Sequence, residues 1–222
     1  MKTDELIDSL AQEFVPAPPL AAPWTRAAGW LLGTLVYLSA LALMMASPAE
    51  LAMNVRNWPS VIYQVGAILT AMTAAGAAFT STVPGDSGRT VRFTACLALI
   101  WFGSFAVGAL LETTRASVSL ATPAEWGCVA MIVLGAGFPG LVLVRMLRQG
   151  APLTPARTVG MGALASVLLA SVTACLAHPH PSDAVTFVWH GTTILAVVFS
   201  VGLAGRTILP WTARRQRDPP SR

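Results

Sequence analysis

Long apolar runs separated by short polar segments dominate the chain. Six such runs occupy residues 27–46, 61–83, 93–111, 126–147, 158–177 and 184–209. A helix of about 20 predominantly apolar residues is long enough to cross the hydrocarbon core of a bilayer. We therefore predict an all-α integral membrane protein, built as a bundle of six transmembrane helices.

The first residues follow a different pattern, which predicts a short amphipathic helix. Thr3 is a suitable N-cap, and acidic residues in the first turn suit the helix dipole. The apolar positions then recur at helical spacing and form one stripe, Leu6, Ile7, Leu10, Ala11 and Phe14. The proline-rich stretch VPAPPLAAP ends this helix and forms a stiff spacer.

A helix this short is marginal alone in water, so its apolar stripe needs a partner. Helices that lie on membrane surfaces are usually rich in Lys and Arg, whereas this one carries Asp4, Glu5 and Asp8 close to the stripe. The pattern therefore favours a cytoplasmic protein with an apolar groove and a basic rim. Packing against the protein's own loops and binding to lipid are the two alternatives.

Composition and charge agree with a membrane protein and indicate its orientation. The chain is 55% hydrophobic and 11% charged, against about 25% charged residues in soluble domains. With the N-terminus in the cytoplasm, 12 of the 14 Lys and Arg residues lie on the cytoplasmic side, and only Arg56 and Arg115 lie outside. The positive-inside rule favours this orientation, and an even number of spans returns the C-terminus to the cytoplasm.

The resulting organisation has three parts. Residues 1–25 form the cytoplasmic helix and its spacer, residues 26–211 form the transmembrane domain, and residues 212–222 form a basic cytoplasmic tail. The acidic start and the length of the first run argue against a cleaved signal peptide. Three spans carry small residues at four-residue spacing, which lets membrane helices pack closely: Gly66/Thr70/Ala74/Ala78, Gly162/Ser166/Ala170/Ala174 and Thr192/Ala196/Ser200/Ala204.

The spans are nearly devoid of ionisable groups, which in membrane enzymes and transporters mark the functional site. Glu112, Arg145, His190 and Gln64 are the candidates, and each lies near the end of a span. No paired carboxylates, Ser/His/Asp set or phosphate-binding loop is present, so we expect neither catalysis nor a cofactor. No basic stripe with interleaved aromatic residues indicates direct binding of nucleic acid.

Two of the three cysteines fall at the same face of the predicted bundle. Cys128 begins the fourth span and Cys175 ends the fifth, so both lie at the outer side, where disulfides are permitted. His178 and His180 follow in the short outer loop. We expect the third cysteine, Cys96, to be a small buried apolar residue. Three interpretations remain open: unrelated buried thiols, a redox-active or thiol-reactive pair, and a soft-metal site formed by all four residues.

Several motifs, in their order and spacing, resemble the NrsF family of bacterial membrane anti-sigma factors. The resemblance covers nearly the whole chain. Its motifs are MKTDELIDSLA at the N-terminus, Trp-Gly-Cys at residues 126–128, RQGAPLTP at residues 148–155, FVWHG at residues 187–191 and GRTILPW at residues 205–211.

The resemblance implies a regulator in the bacterial cytoplasmic membrane. Such proteins hold an extracytoplasmic-function sigma factor inactive through the N-terminal segment. They release it when a heavy-metal or oxidative signal reaches two outer cysteines, here Cys128 and Cys175. This chain departs from the family in its His-Pro-His-Pro loop and in Trp189-His190, which leaves the inducing signal open.

Two other functions fit the same architecture. A small six-helix transporter or metal-handling membrane protein would give ion flux that does not need the N-terminal segment. A thiol-disulfide membrane enzyme would need Cys128 and Cys175 to exchange electrons with a carrier, and the chain has no second thiol pair.

Overall fold

The computed structural model describes residues 3–12, 20–56, 58–83, 85, 88–114, 124–150, 152–177 and 183–210, and within them the regular secondary structure is helical. Its helices are α1 (Thr3–Gln12), α2 (Pro23–Met45), α3 (Pro48–Arg56), α4 (Trp58–Thr80), α5 (Arg89–Thr113), α6 (Ala124–Leu147), α7 (Pro155–Ala177), α8 (Asp183–Leu203) and α9 (Gly205–Ile208).

Six of these helices, α2 and α4 to α8, are long and apolar enough to cross a membrane. This confirms the six apolar spans. Most begin a few residues before the apolar run, because helical geometry continues into the polar flanks where Arg, Pro and Trp can reach the interface. The sixth run is not one helix: α8 ends at Leu203, and α9 begins at Gly205.

Helix α7 lies at the centre and packs against α2, α4, α6, α8 and α9. Among the 18 most apolar consecutive residues of α7, 72% are buried. The same share is 17% in α5, which lies at the periphery of the bundle. The predicted small-residue ridge of α7 is buried along its length, and Thr70, Ala74 and Ala78 of the α4 ridge are fully buried. These small side chains allow α4 and α7 to approach each other closely.

The third predicted ridge does not pack in this way. Thr192, Ala196 and Ser200 of α8 are exposed on the surface of the bundle. The expectation of a packed ridge on α8 was therefore wrong. Cys96 was also expected to be buried, and it is exposed on α5. Lipid tails are as apolar as a protein interior, so hydropathy does not distinguish the two environments.

Hydrogen bonds between helices show which helix termini lie together at each of the two ends of the bundle. At one end the Ser81 hydroxyl, just after α4, lies 2.9 Å from the Thr158 hydroxyl at the start of α7. At the same end Arg148, just after α6, donates to the Ile208 carbonyl of α9. At the other end the Asn54 amide of α3 donates to the Leu176 carbonyl at 2.7 Å.

Charge differs between these two ends. Among the described residues, one arginine, Arg56, lies at the end formed by α3 and the C-terminus of α7. The other described arginines lie at the opposite end, which we call the arginine-rich end: Arg26, Arg89, Arg92, Arg145, Arg148, Arg157 and Arg206. The described carboxylate residues of α3 to α8 all lie at the other end, the acidic end: Glu50, Glu112, Glu125 and Asp183.

Two short helices were not anticipated, and each closes one end. Helix α3 is bound to the acidic end by the hydrogen bond from Asn54 to the Leu176 carbonyl of α7. Helix α9 lies against the start of α7 at Gly205, where a Cβ atom would come within 2.6 Å of the Ala156 Cα. Only glycine allows this contact between backbones.

Candidate sensor cluster and partner-binding helix

Cys128 and Cys175 lie at the acidic end, on adjacent helices. Cys128 is on the first turns of α6 and is buried, and Cys175 is two residues before the end of α7 and is partly buried. Both residues are at the same end of α6 and α7, which pack against each other. The tertiary structure thus brings together two residues that are 47 positions apart in the sequence.

A histidine completes this cluster. His190 of α8 is 1% exposed. Its Nδ1 lies 2.9 Å from the Ser171 hydroxyl and 3.5 Å from the Cys175 sulfur. When the ring proton is on Nε2, Nδ1 accepts from the Ser171 hydroxyl. The sequence identified His190 as a candidate near the end of a span, but not its contact with Cys175 on another helix.

The FVWHG motif connects three helices around the cluster. Phe187 packs against Phe102 and Phe105 of α5, with ring centroids 5.1 and 5.3 Å apart. Trp189 packs edge-on against Trp126 of α6, 5.2 Å away. Adjacent residues of α8 therefore contact α5, α6 and α7. The Trp-Gly-Cys and FVWHG motifs are parts of one packed unit.

Glu112 has a structural role at the same end. Its Oε2 accepts a hydrogen bond of 2.8 Å from the backbone N–H of Ala184, in the first turn of α8. The first N–H groups of a helix have no partner within the helix, and a carboxylate there also suits the helix dipole. Glu112 of α5 therefore fixes the start of the helix that carries His190.

The predicted metal site is not assembled among the described residues. His178 and His180 lie outside them, and the described His, Cys, Asp and Glu side chains form no group of three that could hold a metal ion. Of the four predicted donors, Cys128 and Cys175 are the two within the described residues, and His190, which was not among the predicted donors, contacts Cys175.

The N-terminal segment has a helix, α1, at Thr3–Gln12. Ile7 of the apolar stripe is 57% exposed, and Ala11, Glu5 and Asp8 are also exposed. Phe14 lies outside the described residues, and the structure describes the backbone but not the side chains of Asp4, Leu6 and Leu10. In the described part of the chain, α1 is not among the helices that pack extensively against one another.

Helix α2, which follows the spacer, is held in place by contacts of Arg26 and Trp30 that the sequence did not indicate. Arg26, in the first turn of α2, is 7% exposed. One of its guanidinium nitrogens donates to the Met146 carbonyl at the end of α6, and the guanidinium lies over the Phe79 ring, 4.9 Å from its centroid. Farther along α2, the Trp30 indole donates to the Pro139 carbonyl at 2.9 Å. Helices α2 and α6 are thus joined at the arginine-rich end.

The comparisons with known proteins cover the motifs from Trp126 onward, whereas most of the N-terminal motif precedes the matched residues. A family model described as "NrsF: Negative regulator of sigma F" matches residues 10–211. No curated protein and no solved structure is significantly similar to the chain. The matched residues include all six spans, the cysteine cluster and α9. The chain belongs to the NrsF family of negative regulators of sigma F, and this membership implies a multi-pass membrane protein with an anti-sigma role.

Proposed function

We propose that this protein binds an extracytoplasmic-function sigma factor through α1, holds it at the bacterial cytoplasmic membrane, and releases it when Cys128 and Cys175 are modified by a soft metal ion or an oxidant. It acts as a regulator without catalysis or a resident cofactor, and it does not contact nucleic acid itself. The family match over residues 10–211 carries the anti-sigma role. The exposed helix α1, most of which precedes the matched residues, supports the assignment of the contact.

The charge distribution supports an orientation with both termini in the cytoplasm. The arginine-rich end carries nearly all described arginines, and loops rich in Arg remain on the cytoplasmic side. In this orientation α1 and α9 belong to the cytoplasmic face. The acidic end, with Cys128 and Cys175, then faces the outside.

Helix α1 supplies a surface of the kind that binds in a groove. Ile7 is exposed, and the acidic residues Glu5 and Asp8 lie beside it. An apolar stripe flanked by carboxylates suits an apolar groove with a basic rim on the sigma factor. The membrane-spanning bundle then serves as the anchor, and the lipid bilayer is its second partner.

The cysteine cluster supplies the input. Soft thiolate and imidazole ligands favour soft metal ions, and two neighbouring thiols can be oxidised to a disulfide. Because α6, α7 and α8 are packed around Cys128, Cys175 and His190, either modification changes the packing of these helices.

Helix α6 connects the input to the output. It carries Cys128 on its first turns and ends at the Met146 carbonyl, which accepts from Arg26 of α2. A rotation or shift of α6 would therefore move the start of α2, and with it the segment that leads to α1. Small helix shifts of this kind are a common way to couple distant sites.

A pull-down from membranes tests the partner. Full-length protein is compared with a variant in which Leu6, Leu10 and Phe14 are changed to Ala, and with a control in which Ser9 and Gln12 are changed to Ala. We expect the wild type and the control to retain a sigma factor and the triple variant to lose it. Absence of a sigma factor from all three samples would contradict the proposal. A metal-flux assay on the same preparations would then test the transporter.

Replacement of the thiols tests the sensor. With Cys128 and Cys175 changed to Ser, we expect repression to persist and induction by a soft metal or an oxidant to disappear. Cys96→Ser is the control, because Cys96 is exposed on α5 away from the cluster. Induction of the double variant at the wild-type level would show that the signal enters elsewhere.

A further inference from the structure

A lateral cavity of about 710 Å³ lies between α6, α7 and α8. This volume is within the range of ligand-binding pockets. Its walls are largely apolar, and small residues make it deep: Gly137, Gly140, Ala163, Ser166, Ala196 and Ser200. Gly137, Ala196 and Ser200 are exposed on the surface of the bundle. The cavity is therefore open on the side that faces the hydrocarbon core.

The cavity explains the exposed small-residue ridge of α8. Ala196 and Ser200 belong to that ridge and also line the cavity. Gly162 and Ser166 of the α7 ridge contribute the opposite wall. The α6 wall runs from Val133 to Val144, and Arg148 follows just after the helix. These segments are the second half of α6, the first half of α7 and the second half of α8. The cavity thus spans one leaflet, from mid-bilayer depth to the arginine-rich end.

A cation lies at the interfacial end of this cavity. Arg148 lines it and is exposed, and its Nε and Nη2 donate to the Ile208 carbonyl at 3.2 and 3.0 Å. These bonds orient the guanidinium and use two of its five N–H donors. A planar guanidinium is well suited to bind a phosphate through paired hydrogen bonds.

We propose that this cavity binds an anionic phospholipid from the leaflet at the arginine-rich end. An acyl chain fills the space between α6, α7 and α8, and the lipid phosphate binds the Arg148 guanidinium. The depth of the cavity and the position of Arg148 match the two parts of such a molecule, an apolar chain and a charged head group at the interface.

The charges at this end favour a lipid over a second copy of the chain. In a symmetric dimer the same face meets itself, so the arginine-rich end of one copy would lie beside that of the other. Among the described residues between 20 and 210, no carboxylate lies at this end. Such a dimer would place like charges together, which disfavours association.

Native mass spectrometry of the full-length protein tests the proposal, after reconstitution with phosphatidylglycerol or phosphatidylcholine. We expect retention of phosphatidylglycerol and much weaker retention of phosphatidylcholine. Arg148→Gln should lower the affinity for phosphatidylglycerol about tenfold, the loss expected for one charge-assisted contact. Arg148→Lys keeps the charge but not the paired hydrogen bonds, so it should lower the affinity less than Arg148→Gln does. Arg89→Gln removes an exposed arginine at the same end and outside the cavity, and it should have no effect.

A second pair of variants tests the acyl-chain site. A Cβ at Gly137 or at Gly103 meets no atom within 4 Å, so both positions tolerate a larger side chain. Gly137→Leu fills the cavity and should abolish lipid retention, whereas Gly103→Leu on α5 should not. Equal retention of the two lipids by the wild type would overturn the proposal. A dimer that Gly137→Leu converts to a monomer would also overturn it, because a second copy would then occupy the cavity.

Discussion

The two ends of the bundle are closed by groups of opposite charge. At the arginine-rich end Arg26 and Arg148 donate to carbonyls near the C-termini of α6 and α9. At the acidic end Glu112 accepts from the first turn of α8. The C-terminus of a helix presents unpaired carbonyls and a partial negative charge, and the N-terminus presents N–H groups and a partial positive charge. Each end therefore uses the charge that complements the helix terminus beside it.

The two ends also differ in what they present to their surroundings. The arginine-rich end includes the start of α2, which follows α1 in the sequence. The acidic end includes the thiols of Cys128 and Cys175, His190 and the Trp126–Trp189 pair. In the proposed function, one end holds the partner and the other responds to a chemical signal. Changes confined to one end should therefore have separable effects.

Deletion of residues 1–14 should have the largest effect. We expect complete loss of repression, because α1 is the proposed contact with the sigma factor. The thermal unfolding midpoint of the bundle in detergent should stay unchanged, because α1 does not pack extensively with the other described helices. Transcription of the sigma-dependent genes gives the readout. Unchanged transcription after the deletion would contradict the proposed role of α1.

Gly205→Val should disrupt the arginine-rich end itself. The new Cβ would meet the Ala156 backbone at 2.6 to 2.8 Å, and overpacking typically costs about 1–3 kcal/mol. Chemical unfolding of purified protein measures the loss, with Gly103→Val on the exposed face of α5 as the control. A destabilisation equal to that of the control would show that α9 does not need to lie against α7.

Glu112→Ala should weaken the acidic end. It removes the acceptor for the Ala184 N–H, and loss of a capping side chain typically costs about 1 kcal/mol. Hydrogen exchange should accelerate in the first turn of α8, while the region around Arg148 keeps its protection. Thr113→Ala changes the neighbouring residue, whose hydroxyl bonds within α5 to Leu110, and it should leave exchange in α8 unchanged.

Ser171→Ala should have the smallest effect on stability and should report on the cysteine cluster. It removes one hydroxyl from His190 Nδ1, and a typical hydrogen bond contributes about 1 kcal/mol. His190 should then interact more closely with Cys175, so the rate of thiol labelling at Cys175 should change while that at Cys96 stays constant. Identical Cys175 rates in the variant and the wild type would show that Ser171 does not position His190.

Much of the architecture followed from the sequence. The six spans were predicted because every backbone group in a bilayer must be paired within the helix, and each span must be apolar whatever its neighbours are. The gathering of arginines at one end and the placement of Cys128 and Cys175 at the other followed from counting spans. The NrsF resemblance was confirmed by the match over residues 10–211.

Only the tertiary structure decided which face of each span packs against protein. The ridges of α7 and α8 have the same spacing, yet Ala170 is buried and Ala196 borders an open cavity. The pattern of hydrophobic positions did not predict three further features. They are the exposure of Cys96, the contact of His190 with Cys175, and the hydrogen bond from Arg26 to the end of α6. The physical reason is that lipid and protein interior are similarly apolar, so hydropathy determines that a helix spans the bilayer but not which neighbour it contacts.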